Sequence, residues 1–390
     1  MDLHHRRRGH LGPVRLGPVL GLGPQGDDEP GHLGHLRRLP ARPRHRRLAG
    51  HPGRGAGAVG GGGLLVQLHR HQPAGLRSAL LRGDLTVLTA LVLSPSLDIS
   101  YDVDQLTVGR IHRPRAVVRC AGGKGLNMVR AAARLGAPSQ AVTVLGGPVG
   151  QLLATLLEEE GLEAVVVPND RETRICVSVA GAEMTELYQR ATPLGDGVLD
   201  QVGRALTDVL PASGWLAVNG GLPEGTDPER VADLLAGARE RGVRVAADCY
   251  GDLLALLLRR GVDLVKINRS EAAGLVGAGE DADLAGLTAE VAARAGAPVV
   301  VTDGARGSML TDGGTCWLVA ASRHRGTWSQ GSGDSYLGGL LAGLEEGLGL
   351  VEAVRLGAGA ATANALLPGP GNLDPATARR IAAELEVQPA

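Results

Sequence analysis

From residue 85 to the C-terminus, short apolar runs alternate with longer segments of helical period. Residues 87–93 are apolar almost throughout, over the length of one strand, and 140–145, 163–167, 215–218, 243–248, 263–267 and 298–302 repeat that signature. Between these runs, residues 125–135, 151–160, 199–210, 228–241 and 284–295 gather apolar positions at helical spacing, as 353–366 does near the end. Strands that lack strict polar alternation are buried on both faces, and strands separated by helices run parallel. The expected architecture is α/β: a mostly parallel central sheet between two helical layers, an αβα sandwich. Two stretches, about 98–119 and 172–192, break the alternation with strand-like runs such as Ala116-Val117-Val118 and Ile175-Cys176-Val177-Ser178-Val179. They predict a small separate β sheet. No run is long and apolar enough to span a membrane.

Residues 1–84 have another texture, rich in Arg, His, Gly, Pro and Leu, with Gly and Pro interrupting every apolar run. They hold 14 Arg against 5 acids, a balance of +9, whereas the remainder carries −10 and includes both Lys residues of the chain, Lys124 and Lys266. The basic start is followed by an apolar stretch that Pro and Arg break up, so it does not read as a signal peptide. Gly21-Leu22-Gly23-Pro24-Gln25-Gly26 fits a dinucleotide fingerprint in spacing only, since no strand precedes it and Pro24 sits in the turn. Its 9 His residues have no Cys or paired carboxylates to complete a metal site, and without aromatics any nucleic-acid binding would be non-specific. The division expected is therefore a low-complexity extension over 1–84, disordered or the product of a start assigned too early, and a folded domain over 85–390. Cys120, Cys176, Cys249 and Cys316 show neither metal nor redox spacing and are expected to be reduced, packed thiols.

Candidate chemistry lies in glycine-rich turns that lead into helices. Gly331-Ser332-Gly333-Asp334 runs directly into an apolar helical pattern. Bare backbone lets successive amides converge, and the helix adds its unpaired N–H groups and positive dipole end, a natural seat for a phosphoryl group. Asp334 at the rim could take a proton from an attacking hydroxyl, or simply cap the helix. In Ala121-Gly122-Gly123-Lys124-Gly125-Leu126-Asn127, Gly122 and Gly123 allow close approach and Asn127 both donates and accepts, although a plain turn before a helix reads the same way. Asp98 follows the first strand at its carboxyl end, where open α/β sheets bind ligands and where turn residues also sit. The chain has no P-loop signature.

These two turns, with Ser94-Pro95-Ser96-Leu97-Asp98, Lys266-Ile267-Asn268-Arg269-Ser270-Glu271 and Thr302-Asp303-Gly304-Ala305-Arg306-Gly307, occur in the order found in the PfkB (ribokinase-like) carbohydrate kinases. The region from residue 87 to the C-terminus resembles that family, within it the 1-phosphofructokinase and tagatose-6-phosphate kinase branch. The resemblance implies a ribokinase-like three-layer fold with a small β lid that serves as a homodimer interface. Asp334 would be the general base, and Gly331, Ser332 and Gly333 the anion hole. Asp98, Gly122, Gly123 and Asn127 would hold the sugar, with Lys124 near its anionic part. Lys266, Asn268 and Glu271 would organise the phosphates of ATP, Glu271 acting indirectly on Mg2+. Thr302, Gly304, Gly307 and Asn364 would border the nucleotide. Departures from the family pattern are Ser94 in place of Asn, Gly221 in place of Ser, and Gln330 where Thr or Val is common.

The implied function is ATP-dependent phosphorylation of a hexose phosphate in the cytoplasm. Fructose 1-phosphate is the first candidate and tagatose 6-phosphate or fructose 6-phosphate the second, with a catalytically silent sugar-phosphate sensor as the alternative. No membrane and no specific nucleic-acid partner are expected. Arg174 is the residue expected to grip the acceptor's phosphate, because a guanidinium bonds phosphate in pairs and this branch often carries Arg there. A surface pairing with Glu172 or Asp170 is the ordinary alternative.

Overall fold

The computed structural model describes residues 86–279 and 281–390, together with the backbone of 66–68. Seven parallel strands form the heart of the main sheet. Their spatial order is Glu163–Asn169, Ser139–Gly146, Val87–Val92, Gly214–Gly220, Arg244–Cys249, Leu264–Asn268 and Val299–Thr302. Beyond the last of these, Ser308–Thr311, Cys316–Val319 and Val387–Pro389 continue the sheet antiparallel. At the opposite edge Val66–Leu68 pairs antiparallel with Glu163–Asn169, Val66 standing across from Val166. Three residues of the expected extension thus pair with the sheet edge. A three-residue run has no periodicity to detect and becomes a strand only by bonding to an existing edge. The remainder of 1–84 lies outside the described residues.

Side chains on a strand alternate between faces, and here the alternation feeds two cores. Leu88, Ala90 and Val92 enter the core on one face, while Leu91 and Leu93 enter the other. Over the first face pack Lys124–Arg134, Gly147–Glu160, Ser332–Glu345, Leu350–Ala365 and Pro375–Glu384. Over the second pack Val198–Val209, Pro228–Glu240, Gly251–Arg260, Arg269–Val276 and Leu284–Ala295. The expected helices are all present within a few residues. The pattern missed Gly251–Arg260, a short leucine-dense helix with polar residues only at its two ends, and the short antiparallel strands near the C-terminus.

The two interrupting stretches form the expected small sheet, in the order Ala116–Gly122, Ser96–Asp102, Arg174–Ala180 and Met184–Tyr188. Its second strand begins at Ser96, so Asp98 lies within the lid sheet rather than in a turn after the first strand. From Val87–Val92 the chain first builds the sheet to one side, then returns to build the other side from Gly214–Gly220. That reversal opens a crevice at the carboxyl ends of these two strands, where open α/β sheets take their ligands.

Candidate active site

A cavity of about 700 Å³ occupies that crevice. Twelve of the residues singled out from the sequence line it, from Asp98 and Arg174 on the lid to Lys266 and Asp334 on the main domain. Ser332, Gly304 and Gly307 line an adjoining cavity of about 300 Å³, which shares Thr302, Ser329 and Gly333 with the first. Gly122 and Asn364 line neither.

Asp334 sits in the first turn of Ser332–Glu345 and is buried. The N-cap Gly331 holds a left-handed φ of 75°, and a Cβ there would meet Cβ of Pro370 at 2.6 Å, so no other residue fits without strain. No side chain caps this helix, and the amides of Gly333 and Asp334 have no intrahelical acceptor. Asn127 Nδ2 donates to Asp334 Oδ2 at 2.8 Å. Burial pushes the Asp334 carboxyl up to about 6 and the Asp248 carboxylate adds to the rise, against the pull of Lys124, Asn127 and Lys266. A carboxylate poised near neutrality beside free amides is suited to accept a proton while negative charge develops next to it.

Two cations flank this point. Lys266 Nζ forms a buried ion pair with Asp248 Oδ2 at 2.9 Å and stands 3.2 Å from where a Cβ on Gly333 would be. Lys124 lies 3.8 Å from Glu271 and 5.9 Å from the ring centroid of Tyr250. Burial disfavours its charge, yet the carboxylates of Asp248, Asp334 and Glu271 hold its pKa above the usual lysine value. The N-x-x-E stretch is a capping box: Asn268 Oδ1 accepts from the Glu271 amide and Glu271 Oε2 from the Asn268 amide, both at 2.9 Å. One carboxylate oxygen of Glu271 is thereby fixed and the other faces Lys124.

On the lid side, Asp98 is buried and accepts from Ser96 Oγ at 2.6 Å. Burial lifts its carboxyl to about 6, opposed by that hydroxyl and by the charges of Arg130 and Arg174. Gln330 Nε2 lies 3.4 Å from Asp98 Oδ2, and its carbonyl oxygen lies 3.4 Å from Ser100 Oγ, so the unusual glutamine spans from the Asp334 loop to the lid. The bare Gly221 also has a local cause: a Cβ there would be 2.4 Å from the Tyr250 hydroxyl, which occupies that space. Arg174 donates to three backbone oxygens, those of Ser94, Pro95 and Gln189, at 3.1–3.4 Å.

The adjoining cavity is walled by small apolar residues, among them Ala305, Ala320, Ala358 and Ala361. Asn364 stands behind it, fully buried. Its Nδ2 donates to Gln330 O, Trp328 O and Ser332 Oγ, and its Oδ1 accepts from Ser335 Oγ and the Gly371 amide. With its amide so engaged, Asn364 braces the loop before Asp334 and offers nothing to a ligand.

Sequence reading overlooked Asp248, Tyr250, Asn219 and Arg130. Asp248 had a usable signal, an acid ending the apolar strand Arg244–Cys249. Asn219 ends the neighbouring strand on the cavity wall, its amide unpaired, and Tyr250 caps a helix the pattern missed. Arg130 follows Asn127 at helical spacing, a signal only once Asn127 is known to face inward.

A model of the pfkB family of carbohydrate kinases matches residues 93–377. The ATP-dependent 6-phosphofructokinase isozyme 2 of Escherichia coli K12 is 30% identical over 286 residues, 72% of this chain and 92% of that protein. The crystal structure of phosphofructokinase-2 from Escherichia coli in complex with substrates and products superposes with a TM-score of 0.71 at 28% identity, covering 77% of this chain and 99% of that one. A possible 1-phosphofructokinase from Thermotoga maritima shares the fold, with a TM-score of 0.68 at 21% identity over 78% of this chain and 99% of that one. Fold and crevice together define a kinase of ribokinase-like architecture. The chain belongs to the pfkB family of carbohydrate kinases.

Proposed function

We propose that this kinase transfers the γ-phosphoryl group of ATP to a fructose phosphate, fructose 6-phosphate first and fructose 1-phosphate second, giving fructose 1,6-bisphosphate from either. The observation that carries the phosphorylated acceptor is the state of Arg174. Its guanidinium lines the same cavity as Asp334 and bonds only carbonyl oxygens. Neither neighbouring acid in the chain pairs with it: Glu172 accepts from the Val149 amide and Asp170 lies against Arg171, while Asp98 feels its charge without bonding to it. A cation held by neutral partners keeps its charge for an anionic ligand. The 30% identity to a 6-phosphofructokinase moves fructose 6-phosphate ahead of fructose 1-phosphate, and tagatose 6-phosphate stands third. A silent sensor would not require a buried, proton-accepting Asp334 beside free amides.

In this reading the acceptor hydroxyl gives its proton to Asp334 as its oxygen bonds the γ-phosphorus, and the bond from that phosphorus to the ADP oxygen breaks. The amides of Gly333 and Asp334, with Lys124 and Lys266, take up charge on the transferring group. The small-residue wall of the adjoining cavity suits a flat purine, and the shared Gly333 leads from it to Asp334. Glu271 and Asp248 supply hard oxygen donors, few in number, which suits a Mg2+ ion that keeps most of its water and phosphate ligands. Bound there, the ion would offset phosphate repulsion. The lid exposes Val117, Leu187 and Tyr188, and homodimer contact is assigned to that sheet. Among the described residues no helix is long and apolar enough to cross a membrane, and the reading places the enzyme in the cytoplasm.

ADP release measured across fructose 6-phosphate, fructose 1-phosphate, tagatose 6-phosphate and free fructose tests the assignment. Arg174→Ala should raise KM for the phosphorylated acceptor by about tenfold to a hundredfold while KM for ATP stays near wild type. Preference of the wild type for free fructose would overturn the phosphosugar reading. Sedimentation should give a dimer that charged substitutions at Leu187 dissociate.

A further inference from the structure

Arg130 is an unusual side chain to bury. It lies in the helix Lys124–Arg134, three residues after Asn127, with only 4% of its surface exposed. Nε and Nη2 reach Glu160 at 2.6 and 3.3 Å, Nη2 also donates to Ala121 O at 2.5 Å, and Nη1 donates to Pro370 O at 2.9 Å and Asn127 Oδ1 at 3.1 Å. All five N–H donors of the guanidinium thus have acceptors. Two of those acceptors adjoin the ligand loops, since Ala121 precedes Gly122 and Pro370 packs on Gly331. Glu160 neutralises the charge and the backbone oxygens satisfy buried donors, but the bond to Asn127 Oδ1 also fixes a side chain that reaches Asp334.

We infer that Arg130 is a positioning residue which locks the Asn127 amide so that its N–H, and not its carbonyl, faces Asp334. A guanidinium only donates, so the Asn127 atom facing it must be oxygen, and Nδ2 is thereby turned to Asp334 Oδ2. Without Arg130 only Asp334 itself selects that orientation, and whenever Asp334 takes up a proton the amide can flip and set its carbonyl against the carboxyl, holding the proton there. The lock also dedicates Oδ2 to Asn127 and leaves Oδ1 for the acceptor hydroxyl. The inference rests on Asp334 being the base. The charged groups facing Asp334 are Lys124, Asp248 and Lys266, and those facing Arg130 are Glu160 and Asp98, with the Cys120 thiol.

Arg130→Met and Arg130→Lys in the full-length enzyme test it, with kcat followed against pH. Lysine keeps the charge opposite Glu160, but its three donors cannot serve five acceptors, so it protects the fold if the Met variant fails to accumulate. In either variant kcat should fall about tenfold or more and its acid limb should move to higher pH by about one unit, with KM for ATP unchanged. A melting temperature lowered in both variants, with the wild-type kcat and pH profile kept, would make Arg130 a structural strut and overturn the inference. Asp334→Asn measured alongside separates the two levels. Retained turnover there overturns the base, whereas collapsed turnover there with an unmoved Arg130→Lys profile overturns the role of Arg130 alone.

Discussion

A Cβ on Gly122 would stand 2.0 Å from Cγ of Asp98. The carboxyl therefore rests in space that only glycine leaves open, on the neighbouring lid strand where Ser96 pairs with Gly122. Gly122→Ala should push the Asp98 carboxyl aside and break its bond from Ser96. Steady-state kinetics should show KM for the sugar phosphate rising by about tenfold or more, the loss of one charge-assisted contact, with KM for ATP unmoved. Unchanged acceptor kinetics would remove Asp98 from the sugar site.

Asp334→Asn keeps the shape of the side chain and removes its ability to accept a proton. Turnover should fall by about 10²–10⁴, the usual worth of a general base, while calorimetry still detects binding of ATP and sugar phosphate. A variant retaining more than about a tenth of wild-type turnover falls far short of that range, and Asp334 would then not be the base.

The same burial predicts a pH dependence. With Asp334 as the base, kcat should decline as pH falls through about 6. Stability follows the opposite sign. A carboxyl whose folded pKa lies above the ordinary 3.8 binds protons more tightly in the folded state, so its contribution is fullest below that value and is lost as pH rises to about 6. Asp98→Asn should thus stabilise the fold at pH 7.5, by up to about 3 kcal/mol and with a higher melting temperature, and have little effect at pH 4. Equal melting curves at pH 7.5 would contradict that penalty.

Truncation tests what residues 1–85 contribute. A variant starting at residue 62 keeps Val66–Leu68 and should match the full chain in melting temperature and turnover. A variant starting at residue 86 loses that edge strand and should melt a few degrees lower with turnover intact, because the strand lies away from the crevice. Lost activity in the longer variant would show that residues 1–61 serve the site.

The sequence was sufficient for the layered fold because local pattern and global fold agree. Runs such as Val87–Val92 are apolar on both faces since both faces are covered, and the helices between them show the spacing that packing requires. The glycine turns at Gly122 and Gly331 were legible for a related reason: a backbone that must approach a neighbour or hold a left-handed φ leaves a visible gap in side-chain chemistry. Val66–Leu68, Cys316–Val319 and Val387–Pro389 were not legible, being too short to carry a period and defined only by the edge they bond. Nor could spacing reveal partners far apart in the chain. Asn127 meets Asp334 across 207 positions, and Lys266 finds Asp248 on an adjacent strand. Asn364 shows the limit most plainly: its residue type suits a ligand contact, yet the folded chain surrounds its amide with acceptors and donors of its own. Composition and pattern determined which segments would be buried. Which buried polar groups face a ligand, and which only hold the loops that do, was decided by how those segments cross in space.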